Sequence, residues 1–316
     1  MRYKTDMSKS LNHYLDSIRY TGQVKRNRKL IKLKSYLEMQ EANFDHFLRI
    51  AIIGPGSDIE LDMLYSVMVS KGKSMLPQVY CFDISHKILS ALRHIAARYQ
   101  FSQLGFVSAD ATMLPTCSDS FDLVISSSLQ HEIFSYSGGV DAVDESLGEY
   151  SRLLRENGVL FIRDFKCPTE NHQYAIKFES EQAREFWNNY VLYFRKAYGE
   201  PVVYEKLGEL VVLNSYEATD FMTHFAVKSL YDADHCEIET WKEINEHYIT
   251  LPSSWYLQNA NKHGLHLIFD LPDPEPEQEE IIGANMSCFV LESDDGLKKI
   301  SPLCSRFNLL FTKRRR

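Results

Sequence analysis

The chain has 316 residues, 44% hydrophobic and 25% charged, enough to bury a single large α/β core or a core carrying a sizeable insertion. A net charge of −8 excludes a surface that is polyanion-binding throughout, although Lys25–Lys34 and the final Lys313–Arg316 are basic and Pro272–Glu280 is acidic. Six dispersed cysteines with no C-x-x-C pair exclude a disulfide-stapled scaffold, and no apolar run approaches the roughly 18–20 residues of a bilayer span. Met1–Leu11 is polar and charged, without a secretory apolar stretch, so reduced thiols and a cytoplasmic location are expected.

Residues 1–48 read as a helical, basic N-terminal segment, with Leu30, Leu33 and Leu37 at helical spacing. Arg49–Ile53 is a short β-branched run that stops at Gly54, as a buried parallel strand does. The next helix has Leu61, Leu64, Tyr65 and Met68 on one face. A second strand, Gln78–Phe82, ends at Asp83, and Ser85 caps a helix with the stripe Ile88, Leu92, Ile95 and Tyr99. Strands follow at Gly105–Ser108, Phe121–Ser126 and Val159–Arg163. Between the last two, a helix over Val140–Arg155 turns Val140, Val143, Leu147, Tyr150 and Leu154 inward and is stopped by Asn157-Gly158. This alternation predicts a parallel sheet covered on both faces, with ligands bound at the carboxyl ends of the strands where their order reverses.

After the core, residues 49–164, the rhythm breaks. Residues 165–250, with the aromatic helix Phe186, Trp187, Tyr190 and Phe194 and the stretch Trp241–Tyr248, read as an inserted cap over the strand ends. Residues 251–316 supply a helix opened by Pro252 and closed near Gly264, then strands at Leu265–Leu271, Met286–Leu291 and Phe307–Lys313 that complete the sheet. Asp294-Asp295-Gly296 is the turn between the last two.

Gly54-Pro55-Gly56 stands between a strand and a helix, where bare backbone can approach a ligand. Alone, such a pair serves an ordinary turn as readily as a ligand loop. A dinucleotide fingerprint needs a third glycine where Ile59 stands, and a P-loop needs Gly-Lys-Ser/Thr where the chain has Ser57-Asp58. Asp58, in the first helical turn, would repel a phosphate and tolerates a cationic sulfonium. Asp83 ends the second strand, where a carboxylate can accept both ribose hydroxyls. It lies beyond the usual interval of about 20 residues, because Gly72–Pro77 reads as an inserted loop.

Five segments in register carry a family resemblance: Ile50-Ala-Ile-Ile-Gly-Pro-Gly56, Tyr80-Cys-Phe-Asp-Ile-Ser85, Ser108-Ala-Asp-Ala-Thr-Met-Leu-Pro115, Phe121-Asp-Leu-Val-Ile-Ser-Ser-Ser-Leu-Gln-His131 and Leu153-Leu-Arg-Glu-Asn-Gly-Val-Leu-Phe161. Over residues 49–164 the chain resembles the class I S-adenosylmethionine-dependent methyltransferases. The resemblance implies an α/β, Rossmann-like fold: a mostly parallel seven-stranded sheet flanked by helices, here with a helical N-terminal segment and an inserted cap.

It also implies that Gly54, Pro55 and Gly56 line the amino-acid part of S-adenosyl-L-methionine, Asp83 holds the ribose and Ile84 lies against the adenine. Asp110 and the backbone of Ala111 would meet the adenine edge, and Ser126 and Ser127 would flank the methionine moiety. Pro55 departs from the small residues usual in such a loop and is tolerated where no backbone donor is needed.

Gln130–Tyr136 follows the fourth strand, where the methyl group would be presented. Methyl transfer needs alignment and, for protonated acceptors, a base. His131 is a candidate base or a packing residue; Glu132 and Tyr136 could orient the acceptor, with Arg163 and Asp164 at the rim. Ser126-Ser127-Ser128 stands where enzymes acting on exocyclic base amines carry an Asp/Asn-Pro-Pro-aromatic tetrapeptide. The spacing of His224, His235 and His247 forms no metal set. The expected activity is methyl transfer to O or N of a small or medium-sized acceptor. An RNA or nucleotide-linked acceptor held by the basic N-terminal stretch, which is not favoured, and a catalytically silent cofactor-binding subunit stay open.

Overall fold

The computed structural model describes residues 30–39, 48–70, 76–170, 172–195, 199–231, 246–292, 296–301 and 305–314. The core runs α1 (Ile31–Met39), β1 (Arg49–Ile53), α2 (Ile59–Ser70), β2 (Gln78–Asp83), α3 (His86–Ala96), β3 (Gln103–Ser108) and β4 (Phe121–Ser127). A short α4 (Gln130–Ile133) then widens into a π-helical turn (Phe134–Gly138), followed by α5 (Val140–Leu153) and β5 (Leu154–Phe165). Next come β6 (Gln173–Phe178), α6 (Glu181–Tyr193), β7 (Glu205–Leu207), β8 (Leu210–Asn214) and α7 (Ser215–Tyr231). The chain closes with α8 (Ser253–Lys262), β9 (Leu265–Pro274), α9 (Pro276–Asn285), β10 (Met286–Glu292), β11 (Gly296–Ile300) and β12 (Ser305–Lys313).

The large sheet has seven strands in the order β3-β2-β1-β4-β5-β12-β9. β1 to β5 pair in parallel, and β12 is antiparallel to both its neighbours. β1 shows why the sheet needs two covering layers. Its residues Ile50 to Ile53 are all buried, and alternation sends Ile50 and Ile52 into one core and Ala51 and Ile53 into the other. The first core is filled from α1 to α3 by Leu33, Leu64 and Leu92; the second from α5 and α8 by Leu147, Tyr150 and Tyr256. Strand order reverses between β1 and β4, which places the crevice at Gly54 and at Ser126–Ser128.

Local expectations meet two corrections. Ser85 does cap α3, its Oγ accepting from Ile88 N at 3.4 Å, but the buried stripe is Leu89, Leu92 and Ala96, with Ile88 only half-buried. The helix before β5 ends at Leu153, and Val140 at its start is 39% exposed. Asn157-Gly158 is therefore no helix cap. It forms an irregularity within β5, where Asn157 has φ 61° and a Cβ on Gly158 would sit 2.9 Å from Arg155 O.

A second sheet of five strands, β11-β10-β6-β8-β7, is antiparallel throughout. Its core joins Trp187, Tyr190 and Phe186 from α6 to Phe221 and Phe225 from α7. β10 falls in the stretch expected to complete the large sheet, yet it pairs with β6 and returns through β11, so the second sheet is assembled from two separate stretches of chain. An isolated strand-like run such as Met286–Leu291 carries no information on which sheet edge it will join. Among the described residues no helix is long and apolar enough to cross a membrane.

Candidate active site

The crevice is built from the ends of four parallel strands. At the end of β1, Gly54 has φ 63°, and its N–H donates to Phe82 O at 2.8 Å. A Cβ there would lie 2.7 Å from Leu129 Cδ1, so the loop after β4 packs directly under the glycine. Gly54→Ala is expected to cost about 1–2 kcal/mol, mainly from the left-handed φ, because the Leu129 side chain can shift. The check is the urea midpoint at unchanged m-value. Pro55 is buried and Gly56 half-buried. Asp58, by contrast, does not face the crevice chemistry. Its carboxylate is held by Arg98 and by Tyr99 Oη at 2.7 Å, so it speaks for packing between α2 and α3 and not for a sulfonium.

At the end of β2, Asp83 Oδ1 accepts from Ser85 N at 2.7 Å, and burial raises its carboxyl above the ordinary range, partly offset by that N–H. Ile84 beside it is 74% exposed. After β3, Asp110 Oδ1 accepts from Thr112 N and Oγ1, both at 2.8 Å, which shapes the loop bearing Ala111. After β4 the serines separate. Ser126 is fully buried and turned inward, its Oγ accepting from Gln130 Nε2 at 3.0 Å. Ser127 Oγ is buried with no hydrogen-bond partner among the described residues. Ser128 has φ 58°; its N–H donates to Arg163 O and its Oγ accepts from Arg306 Nη1 at 2.8 Å.

His131, on α4, is almost completely buried, with Nδ1 2.7 Å from Asp164 Oδ1 and Nε2 3.3 Å from Glu246 Oε1. Burial alone would lower its pKa. The charge and hydrogen bond of Asp164, followed by those of Glu246, outweigh it and push the imidazole up to about 10. The shift favours the imidazolium form, held between the two carboxylates. Glu132 is the group whose proton is poised: burial, and then the charge of Glu246, push it up to about 8, with His131 opposing. Ligand atoms of His131, Glu132 and Glu246 all lie within 4.8 Å of one another. Tyr136 lies on the π-helical turn, 55% exposed.

Sequence spacing singled out Asp164 only as a rim residue, and Glu246 not at all. Glu246 arrives from 115 positions along the chain, carried by a segment pinned to both parts of the molecule: His247 N donates to Ser135 Oγ at 2.8 Å and Ile249 N to Asp220 Oδ1 at 3.0 Å. The Tyr248 ring lies 5.4 Å from His131 and 4.9 Å from Phe165. Arg163, the other rim candidate, is buried with Asp273 (2.6 Å) and Glu275 (2.6 Å), and Glu275 also accepts from Arg306 at 2.8 Å. This four-charge cluster locks β5, β9 and β12 together where the chain passes into α9.

Residues 53–162 match the family described as "Methyltransferase domain". That stretch of the chain is a methyltransferase domain. No curated protein matches the sequence. Among solved structures, the YcgJ protein of Bacillus subtilis is 13% identical, with 89% of this chain and 98% of that one covered at a TM-score of 0.46. An S-adenosylmethionine-dependent methyltransferase of Methanosarcina mazei is 12% identical, with 86% and 97% covered at 0.46. The trans-methyltransferase CalH, in complex with SAH, is 16% identical, with 89% and 55% covered at 0.47. The assignment rests on the family match; the observed strand order reverses between β1 and β4, beside the strand ends bearing Gly54 and Ser127.

Proposed function

We propose that the protein transfers the methyl group of S-adenosyl-L-methionine to an O or N atom of a small or medium-sized acceptor held between the strand ends and the second sheet. The observation that carries this reading is the cluster of His131, Glu132 and Glu246 at the end of β4, one turn of chain beyond the Leu129 that packs against Gly54. The residues fit the cofactor. Ser127, at the end of β4, offers a buried hydroxyl with no partner among the described residues, and Gly54 leaves the end of β1 free of a side chain. Gly54, Pro55 and Gly56 would hold its amino-acid end, Asp83 its ribose, Ile84, Asp110 and Ala111 its adenine, and Ser127 with the backbone of Ser126 its methionine chain. When bound it supplies an electrophilic methyl group.

The chain's own residues then divide the work. Glu132 accepts the acceptor's proton, since a carboxyl poised near neutrality serves best as a general base. His131, fixed by Asp164, holds Glu246 in place through its Nε2. Tyr136 lies close in sequence at the mouth and would orient the acceptor.

The test is incubation with S-adenosyl-L-methionine and acceptor panels, reading S-adenosylhomocysteine formation and a mass gain of one methyl on the acceptor. Absence of S-adenosyl-L-methionine binding by calorimetry would sink the reading outright. Within it, Asp83→Ala is expected to weaken cofactor binding about 10- to 100-fold, the worth of charge-assisted hydrogen bonds to a ribose, with the fold intact. The basic residues 25–29, on which an RNA acceptor would depend, lie outside the described residues.

A further inference from the structure

The carboxylates around the crevice outnumber the cations that answer them. Asp164 is served by His131 and by the nearby charge of Arg306. Glu246 is served by His131 and by the charge of Lys228 from α7. Glu132 has no such match. It feels the negative charges of Glu246, Asp83 and Asp164 against His131 alone, and no described residue donates a hydrogen bond to it. Its carboxylate lies within 4.8 Å of Glu246, and Asp83 is near enough for its charge to act on it.

Aromatic rings accompany the carboxylates. Tyr248 and Phe165 flank His131 at 5.4 and 5.0 Å, and Phe134, two residues beyond Glu132, faces His247 at 5.9 Å. Carboxylates backed by aromatic faces favour a cation over a neutral molecule of the same shape.

We infer that the acceptor is an amine, bound as its ammonium ion between Glu132 and Glu246. This rests on the reading of the site as the acceptor side of a methyltransferase and narrows its substrate to one class. The step balances: the ammonium gives a proton to the Glu132 carboxylate, and the freed nitrogen lone pair takes the methyl carbon. The electrons of the carbon–sulfur bond stay on sulfur as the neutral thioether, and the product is the methylated ammonium.

Benzylamine and its neutral counterpart benzyl alcohol separate charge from shape. Both are titrated calorimetrically into the full chain saturated with S-adenosylhomocysteine, whose own binding is measured first, so that failure of the cofactor reading shows separately. At about pH 8.5, where Glu132 is ionised, benzylamine is expected to bind at least about tenfold more tightly than benzyl alcohol, and to lose about tenfold on Glu132→Gln and on Glu246→Gln while benzyl alcohol does not change. The wild-type comparison stands even where a variant fails to fold. Equal binding of the two probes, or no benzylamine binding, overturns the inference. So does tight Mn²⁺ binding that both variants abolish without any preference for benzylamine, which would mark the three groups as a metal site.

Discussion

Glu132→Gln is expected to lower kcat about 100-fold or more while leaving the affinity for S-adenosyl-L-methionine within about twofold, because a positioned general base contributes on the order of 10²–10⁴ in rate. The pH profile carries the sharper signature. Below about pH 8 the native carboxyl holds its proton and cannot accept another, so kcat/KM rises as pH climbs through that value; the variant loses the rising limb. The groups facing Glu132 are His131 on its own helix, Asp164 on β5, Asp83 on β2 and Glu246 before α8, so the midpoint belongs to the cluster and not to one side chain.

Stability follows with the opposite sense. The folded value lies above the unfolded carboxyl value of about 4.3, so the native state holds an extra proton between the two. The stability this group contributes is full below about pH 4 and declines as pH rises through about 8. Glu132→Gln, a neutral mimic of the protonated form, should flatten that decline. A variant with wild-type kcat and an unchanged profile would remove Glu132 from the chemistry.

Asp164→Ala is expected to produce the largest loss of stability, about 3–5 kcal/mol, the cost of removing one partner from a buried ion pair. Asp164 accepts from the backbone N–H of Phe165 at 2.7 Å and of His131 at 3.2 Å, as well as bonding the imidazole. Alanine leaves all three donors buried without their acceptor, whereas Asp164→Asn keeps one oxygen and should cost less. Burial by itself would raise the Asp164 carboxyl, but the charge and hydrogen bond of His131, with Arg306 adding, hold it below the ordinary range. Its contribution is therefore present above the unfolded value of about pH 4 and lost as pH falls through the lowered folded value; the alanine variant should show no such acid limb. Urea unfolding at pH 7 and at about pH 2.5 measures both effects, and a loss under about 1 kcal/mol at pH 7 would contradict the account.

Much of the core was legible because its information is local. Ile50–Ile53 is apolar at every position, which only a strand buried on both faces requires, and a glycine with left-handed φ follows it. Ser85 announces its helix by its own side chain. Asp58 misled for the converse reason: its place just before α2 is a local fact, but its partner Arg98 comes from beyond α3. The role of His131 changed likewise. An imidazole has an ordinary value near 6.5 and reads as a base until two carboxylates from distant positions surround it.

The sequence by itself determined the strand–helix alternation of a parallel α/β core and the methyltransferase-like order of its segments, since periodicity and turn chemistry act over a few residues. Only the tertiary structure decided that β10 leaves the large sheet for a second one, that Asp164 and Glu246 clamp His131, and that the poised proton belongs to Glu132. Those outcomes depend on burial and on charges brought together across more than a hundred residues, and neither quantity exists until the chain has folded.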